Sequence, residues 1–484
     1  MRVNFLLMLL AFALLSVLAI SQGRSTSATP GNSTGNTFYI THVTLIDTEA
    51  GKETQDRTVV ISGDRVSEVD KSGDVALPAG GKVVDGTGKF LIPGLWDMHE
   101  HAVRSDRMAS MFPMLLANGV LGIRDMGTDM GLEDIGPLKK RIADGSLLGP
   151  RIVGTGQILD GRLTAGSGTF VAVKTPAEGR EAVQSLRAGH ADFVKVYSAL
   201  SRDVYFAIAE EAKKQGLPFV GHVPVSVTVL EASDAGQKSI EHLTGVDLGC
   251  SAREAEIRAA LVDGGAEMAS SVRWSLEAIE ASASYSEEKA KKVFVHLARN
   301  QTWQVPTFVA FMQDAQFNDS RVTSDARLKY IPPSFQKRWL EYASKHAGPS
   351  PWPRVFEKRL VMVGAMHRAG VPLLAGTDTA WGVPYIYAGF SLHDELALLV
   401  RAGLTPMEAL QTATINPARF LAMEKDLGSI SKGKLADMVL LSADPLIDIH
   451  NAEKIEAVFI NGRLLDRKQL DALLVDAENA VKGK

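Results

Sequence analysis

Cysteine is almost missing from this chain: Cys250 is the sole one in 484 residues. That excludes an intramolecular disulfide and a cysteine-built zinc cluster, and it leaves stability to packing. An excess of positive charge is missing as well. Lys and Arg number 52 against 56 Asp and Glu, a formal net charge of −4, so there is no basic field for nucleic acid and no cationic run for a membrane surface. Internal repeats are absent, and low-complexity sequence is confined to one short stretch near the N-terminus. What is present, 45% hydrophobic and 22% charged residues, is ordinary globular composition and excludes a disordered, collagenous or polytopic membrane protein. Dividing by roughly 150 residues per domain suggests about three domains, although a single α/β barrel absorbs about 250 residues or more. A small molecule is the expected partner.

The N-terminus reads Met1-Arg2, then an apolar run from Phe5 to Ile20, then Ser21-Gln22-Gly23. Charged, apolar and small-residue regions in that order predict a secretory signal over 1–22, with an uncleaved anchor as the alternative. Residues 23–36, rich in Ser, Thr, Gly, Pro and Asn, read as a disordered linker outside the fold. Cleavage leaves a periplasmic or secreted protein with no stable membrane association.

From Phe38 to Pro93 the pattern is of short strands separated by Gly, Asp and Lys clusters: Phe38-Tyr39-Ile40, Val43 to Ile46, Thr58 to Ile61, Val83-Val84 and Phe90-Leu91-Ile92. A second strand patch lies far away, at Met438 to Leu441 and Val458 to Ile460, followed by the turn signal Asn461-Gly462. The two half-modules are expected to pair with each other. Between them, short apolar runs alternate with helix-length amphipathic segments, as βαβ units do. Eight candidate strands begin at Gly94, Gly122, Arg151, Phe193, Phe219, Ser239, Gln304 and Leu373. Eight such units predict an α/β fold of the (β/α)8 TIM-barrel type, with its chemistry at the C-terminal strand ends.

Several of these strands end in a side chain able to hold a metal. His99 and His101 stand two apart at the end of the first strand, so both imidazoles project to one face and reach one ion. Lys195 interrupts the apolar fourth strand, Phe193-Val194-Lys195-Val196-Tyr197. A buried ammonium is costly, so this lysine is paired, neutral or chemically modified, unless it snorkels to solvent. The fifth and sixth strands end in His222 and His242, and the eighth carries Asp378 to the barrel mouth, where, taken alone, it reads equally well as an N-cap for the next helix.

These residues resemble the metal-dependent amidohydrolase superfamily. Ile92-Pro93-Gly94-Leu95-Trp96-Asp97-Met98-His99-Glu100-His101 looks like its first-strand signature, and His222, His242 and Gly376-Thr377-Asp378 follow in the family's order. Lys195 makes the chain similar to the binuclear subset, prolidase-like and imidazolonepropionase-like, in which a strand-four lysine is carbamylated. The resemblance implies a hydrolase barrel over 93–423 and a small β-sandwich built from 37–92 and 424–470. It also implies two divalent metal ions, usually zinc: His99, His101 and Asp378 on the first, His222 and His242 on the second, and carbamylated Lys195 bridging both. A metal-bridging hydroxide then attacks an amide or peptide bond of a small carboxylate-bearing substrate, a dipeptide or N-acyl amino acid, with Asp378 as the proton shuttle.

For substrate contacts, Tyr197 shares the strand face of Lys195, so its hydroxyl can reach a carbonyl or carboxylate. Trp381, Tyr385 and Tyr387 follow Asp378 as candidate pocket walls. Arg162, in the loop after strand three, is a candidate fork for a substrate carboxylate. That loop lacks the Gly-Gly-His-Gly type motif of several peptidases of the group, which leaves the substrate open. The segment from Phe311 to Phe356, rich in Pro and aromatic residues, reads as a cover over the barrel mouth or a surface hairpin. Competing readings are hydrolysis of cyclic amides, lactones or organophosphates on the same centre, and an inactive barrel used as a scaffold. A homo-oligomer is compatible with all of them.

Overall fold

The computed structural model describes residues 37–161, 168–263, 270–316, 319–346 and 348–482. The signal expected over 1–22, the linker expected over 23–36 and Arg162 lie outside the described residues.

Five strands open the chain: β1 (Thr37–Asp47), β2 (Lys52–Ser62), β3 (Arg65–Lys71), β4 (Lys82–Asp85) and β5 (Phe90–Pro93). Nine short strands follow: β6 (Leu95–Glu100), β7 (Val120–Asp125), β8 (Arg151–Gly154), β9 (Ile158–Asp160), β10 (Phe170–Ala172), β11 (Val194–Val196), β12 (Phe219–Gly221), β13 (Ser239–Glu241) and β14 (Trp303–Val305). Three close it: β15 (Met438–Leu441), β16 (Ile455–Ile460) and β17 (Arg463–Asp466). Among the described residues no helix is long and apolar enough to cross a membrane.

The two flanks pair as expected. β5 lies antiparallel to β15, with Leu91 opposite Leu440 and Ile92 opposite Val439. The expected two-sheet sandwich is, by its hydrogen bonds, one eight-stranded sheet in the order β17-β16-β15-β5-β1-β2-β3, with β4 also on β1. Register shifts after Ile40 and Val43 divide β1, so one edge pairs with β4 through Phe38 to Thr41 and with β5 through Thr44 and Leu45. The sheet curls enough to bring Phe38 within 5.9 Å of Phe459, ring centre to centre, over a core that includes Ile40, Ile61, Leu91 and Met438. Asn461 and Gly462 both have positive φ, 49° and 70°, and join Ile460 to its partner Arg463. This is the two-residue hairpin that the Asn-Gly pair predicts.

The middle of the chain is α/β, with parallel strands connected through helices. Every residue of β6 and β7 is buried, as expected where both faces of a sheet are covered. The hydrogen bonding differs from the single eight-stranded ring read from the sequence. It makes a three-stranded sheet, β6-β7-β8, and a six-stranded sheet, β10-β9-β11-β12-β13-β14. Two causes are visible. The three-residue strands β9 and β10 intervene, so β11 pairs with β9. The expected eighth strand at Leu373 forms no ladder, because Gly376 packs where a Cβ would lie 2.8 Å from the His99 nitrogen and Asp378 turns to φ 60°. This segment still ties the two sheets together: Leu374 N donates to Gln304 O at 2.9 Å and Met98 N donates to Ala375 O at 2.9 Å.

Candidate metal centre

Strand ends gather the histidines, and a neighbouring acceptor or hydroxyl orients each ring. His99, at the buried end of β6, points Nδ1 at Glu241 Oε2, 2.8 Å away. His101 Nδ1 donates to the Gly127 carbonyl at 3.1 Å. Past β12, His222 Nδ1 meets Ser198 Oγ at 2.7 Å, and past β13, His242 Nδ1 meets Thr307 Oγ1 at 2.7 Å. A neutral imidazole whose Nδ1 carries the proton presents a lone pair on Nε2. The Nε2 atoms of His99 and His101 both lie 3.3 Å from Asp378 Oδ1. The three ligand atoms fall within 4.8 Å of one another. His99 and His242 rings are 4.5 Å apart and those of His222 and His242 are 5.0 Å apart, so all four form one cluster.

The electrostatics suit a cation. Burial, then Lys195 and His242, holds His222 well below the ordinary histidine range. Burial leads in pushing His242 down to about 3. Burial alone would raise Asp378, but His242, His101 and His99 beside it hold it well below the usual carboxylate range. His222 and His242 are therefore neutral imidazoles and Asp378 an anionic carboxylate at neutral pH, the donor states that a divalent metal requires. His222 Nε2 is buried with no hydrogen-bond partner. Such an orphaned atom costs about 1–3 kcal/mol unless a ligand reaches it, and a divalent ion fits it. His242 and Asp378 both hold left-handed backbone, φ 59° and 60°, strain of the kind kept at functional sites.

Lys195, on β11, is 1% exposed, and burial pushes its ammonium down to about 8 against the opposing fields of Glu241 and Asp378. Glycine at 221 is obligatory beside it. Its φ is 127°, and a Cβ there would stand 2.2 Å from Val196 O and 3.0 Å from Lys195 Cδ. All six candidate ligands, His99, His101, Lys195, His222, His242 and Asp378, line one cavity of about 660 Å³.

Tyr197 lines the same cavity, its ring 4.1 Å from that of His222 and 5.2 Å from Phe170. Trp381 instead lines an adjoining cavity of about 350 Å³, which shares Asp378, Gly382 and Val383 with the first. Tyr385 and Tyr387 line neither. The loop turns at Tyr385, φ 57°, and both rings pack on Trp339 at 5.4 and 6.2 Å, so they brace the loop instead of walling a pocket. The segment expected to cover the mouth supplies the helix Pro333–His346, whose Phe335, Arg338, Trp339 and Tyr342 line the second cavity.

Sequence reasoning missed the layer beneath. Glu241 sits one residue before His242, fully buried, and accepts from Arg124 Nη2 at 2.9 Å and Ser239 Oγ at 2.5 Å as well as from His99. Arg124 also donates from Nε to Met98 O at 2.6 Å. Two opposite charges inside apolar strands β7 and β13 were the available signal. Asp97, pushed up to about 7 by burial, accepts from His99 N at 3.0 Å and Thr377 Oγ1 at 2.6 Å, holding β6 to the Asp378 loop. Arg104 and Arg107 were missed too and line the cavity. Arg104 is paired with Asp129 at 2.9 Å, and Arg107, whose buried Nε makes no hydrogen bond, lies 3.9 Å from Asp106 Oδ1.

Residues 90–465 match the amidohydrolase family. The chain is 36% identical over 85 residues to imidazolonepropionase of Symbiobacterium thermophilum, a stretch covering 18% of each protein. It is 27% identical over 406 residues to ochratoxinase of Aspergillus niger, covering 76% of this chain and 73% of that one. The crystal structure of a putative prolidase from Bifidobacterium longum superposes with a TM-score of 0.65 at 24% identity, covering 91% of this chain and 99% of the other. Its likeness supports an α/β, TIM-barrel-like fold. With a matched region spanning most of its length and a histidine-carboxylate cluster where the fold concentrates its chemistry, the chain belongs to the amidohydrolase family and is a metal-dependent amidohydrolase.

Proposed function

We propose that this enzyme is binuclear and cleaves an amide or peptide bond in a small carboxylate-bearing substrate, a dipeptide or an N-acyl amino acid. His99, His101 and Asp378 would hold one divalent ion, His222 and His242 the other, and carbamylated Lys195 both, with zinc the expected metal. The observation that carries the reading is the convergence of unshared lone pairs: two Nε2 atoms aimed at one Asp378 oxygen, beside a buried Nε2 with nothing to meet it. When bound, two such ions lower the pKa of water toward about 7 and polarise a carbonyl.

The chain's own groups do the rest. At pH 7 a lysine held at about 8 is about one-tenth neutral amine, the form that adds to CO₂ to give a carbamate and release a proton. The carbamate replaces a buried cation by an anionic oxygen donor, which removes the burial problem. Asp378 Oδ1 takes the proton of the attacking water and passes it to the departing amine, serving as base and then acid. Tyr197 donates its hydroxyl to the substrate, and Arg107 offers the substrate carboxylate an Nε–H that makes no hydrogen bond within the protein. In the same reading the two parallel sheets are the wall of a (β/α)8 barrel interrupted at Leu373 to Asp378, the flanks form a small sandwich, and residues 1–22 direct export to the periplasm or medium.

Metal content of protein purified without chelator, with intact mass, tests this. Two ions per chain and a mass increase of one carbamate are expected; a single ion and an unmodified Lys195 would sink the bridged site. Stripping the metal is expected to abolish turnover on a panel of N-acyl amino acids and dipeptides. It also lowers the Tm by on the order of 5 °C, because ions bind the folded state alone. Replacing Arg107 by Met should raise KM for free-acid substrates about 10–100-fold, the loss of one charge-assisted bond, and leave KM for the matching C-terminal amides nearly unchanged. Equal effects on acid and amide would remove Arg107 from carboxylate recognition.

A further inference from the structure

The second cavity has a chemistry of its own. It holds about 350 Å³, near the lower end of ligand sites, about 300–1,000 Å³, which is room for one ring system and not for a stretch of peptide. Three of its walls are aromatic residues at positions 335, 339 and 342, spaced four and three apart on one face of the helix Pro333–His346. The fourth is Trp381, whose ring centre lies 5.2 Å from that of Phe335. Trp339 Nε1 donates to Trp381 O at 2.9 Å, which fastens the helix to the loop carrying Asp378. The guanidinium of Arg338 lies 3.8 Å from the ring centre of Phe335. Tyr342 is 41% exposed although it lines the cavity, and its ring lies 4.0 Å from that of His346, centre to centre.

Asp378 stands at the junction, because it lines both cavities. A group seated among these rings is therefore joined to a bond within reach of the proposed proton shuttle, and Gly382 and Val383 line both spaces as well. Flat rings stack or meet edge to face with aromatic walls at 4.5–7 Å, and a cation over Phe335 sharpens that preference.

Resting on the amide-hydrolase reading above, we infer that this cavity is a specificity subsite for an aromatic side chain of the substrate, so that the preferred substrates are aromatic N-acyl amino acids or dipeptides. The helix Pro333–His346 is its selecting wall, and Phe335, Tyr342 and Arg338 are specificity residues that touch the ring and not the reacting atoms.

Binding of two carboxylic acids to the full-length protein tests it, by calorimetry with 3-phenylpropanoate and propanoate, which differ by one ring. Wild type is expected to bind the phenyl acid at least about tenfold more tightly. Phe335→Ala and, separately, Tyr342→Ala should each reduce that ratio about fivefold, with propanoate as the internal reference. Tyr342 lies at the surface, so its variant keeps the fold even if Phe335→Ala does not. The ratio of kcat/KM for N-acetylphenylalanine over N-acetylalanine should fall in parallel. A wild-type binding ratio within about twofold of unity, or a ratio that both variants leave intact, overturns the subsite. If wild type hydrolyses neither amide, the proposed function fails, while the binding ratio still decides the subsite.

Discussion

Lys195→Ala should lower kcat/KM on the best amide substrate by on the order of 10³-fold, with the metal content falling below two ions per chain. The magnitude follows from what is removed. A bridging ligand supports both ions, and metal polarisation of the carbonyl and of water supplies several kcal/mol of transition-state stabilisation, each 1.36 kcal/mol being about tenfold. The protein should still fold. Lys195 is buried and burial disfavours its ammonium, so alanine removes an unfavourable buried charge of the metal-free protein along with its carbon chain. Lys195→Arg provides the control, since a guanidinium stays charged and cannot present the neutral amine that captures CO₂. Both variants are expected to be inactive, with a Tm within a few degrees of metal-stripped wild type. Undiminished turnover in either one would rule out a carbamylated bridge.

The histidines were legible because strand ends are legible. An apolar run followed by His or Asp marks both the strand and its C-terminal edge, and the i, i+2 spacing of His99 and His101 fixes their common face. Lys195 stood out for the converse reason, a charge inside an apolar run. The partners of those residues were less legible. Ser198, Thr307 and Gly127 reach their histidines only after the strands are in register, and nothing local distinguishes them from other loop residues. The sheet topology failed where elements were too short to carry a period. β9 and β10 have three residues each, and the expected strand at Leu373 is broken by a glycine needed for close approach to His99 and by the left-handed Asp378. Tyr385 and Tyr387 were misread as pocket walls because proximity in sequence to Asp378 says nothing about which way the loop turns.

The charge pair under the site separates fold from chemistry. Arg124 and Glu241 are fully buried, and the guanidinium lies 5.0 Å from the ring centre of Phe420 and 5.8 Å from that of Phe193. Glu241→Leu strands a buried cation and should destabilise the protein by about 3–5 kcal/mol in urea unfolding. Adding Arg124→Met removes the stranded charge. A well-packed apolar pair is often neutral or better than a buried ion pair, so the double variant should recover most of that loss. It should not recover activity. His99 Nδ1 loses the Glu241 oxygen 2.8 Å away that fixes its tautomer and ring plane, and losing such an orienting partner typically reduces metal affinity or activity 10–100-fold. Stability restored with metal affinity still down would assign Glu241 to positioning His99. A double variant with wild-type metal affinity would reduce the pair to a structural filler of the strand layer. The outcome rests on one geometric fact, that the same carboxylate holds both the arginine beneath and the histidine above, so fold and site share a single buried anion.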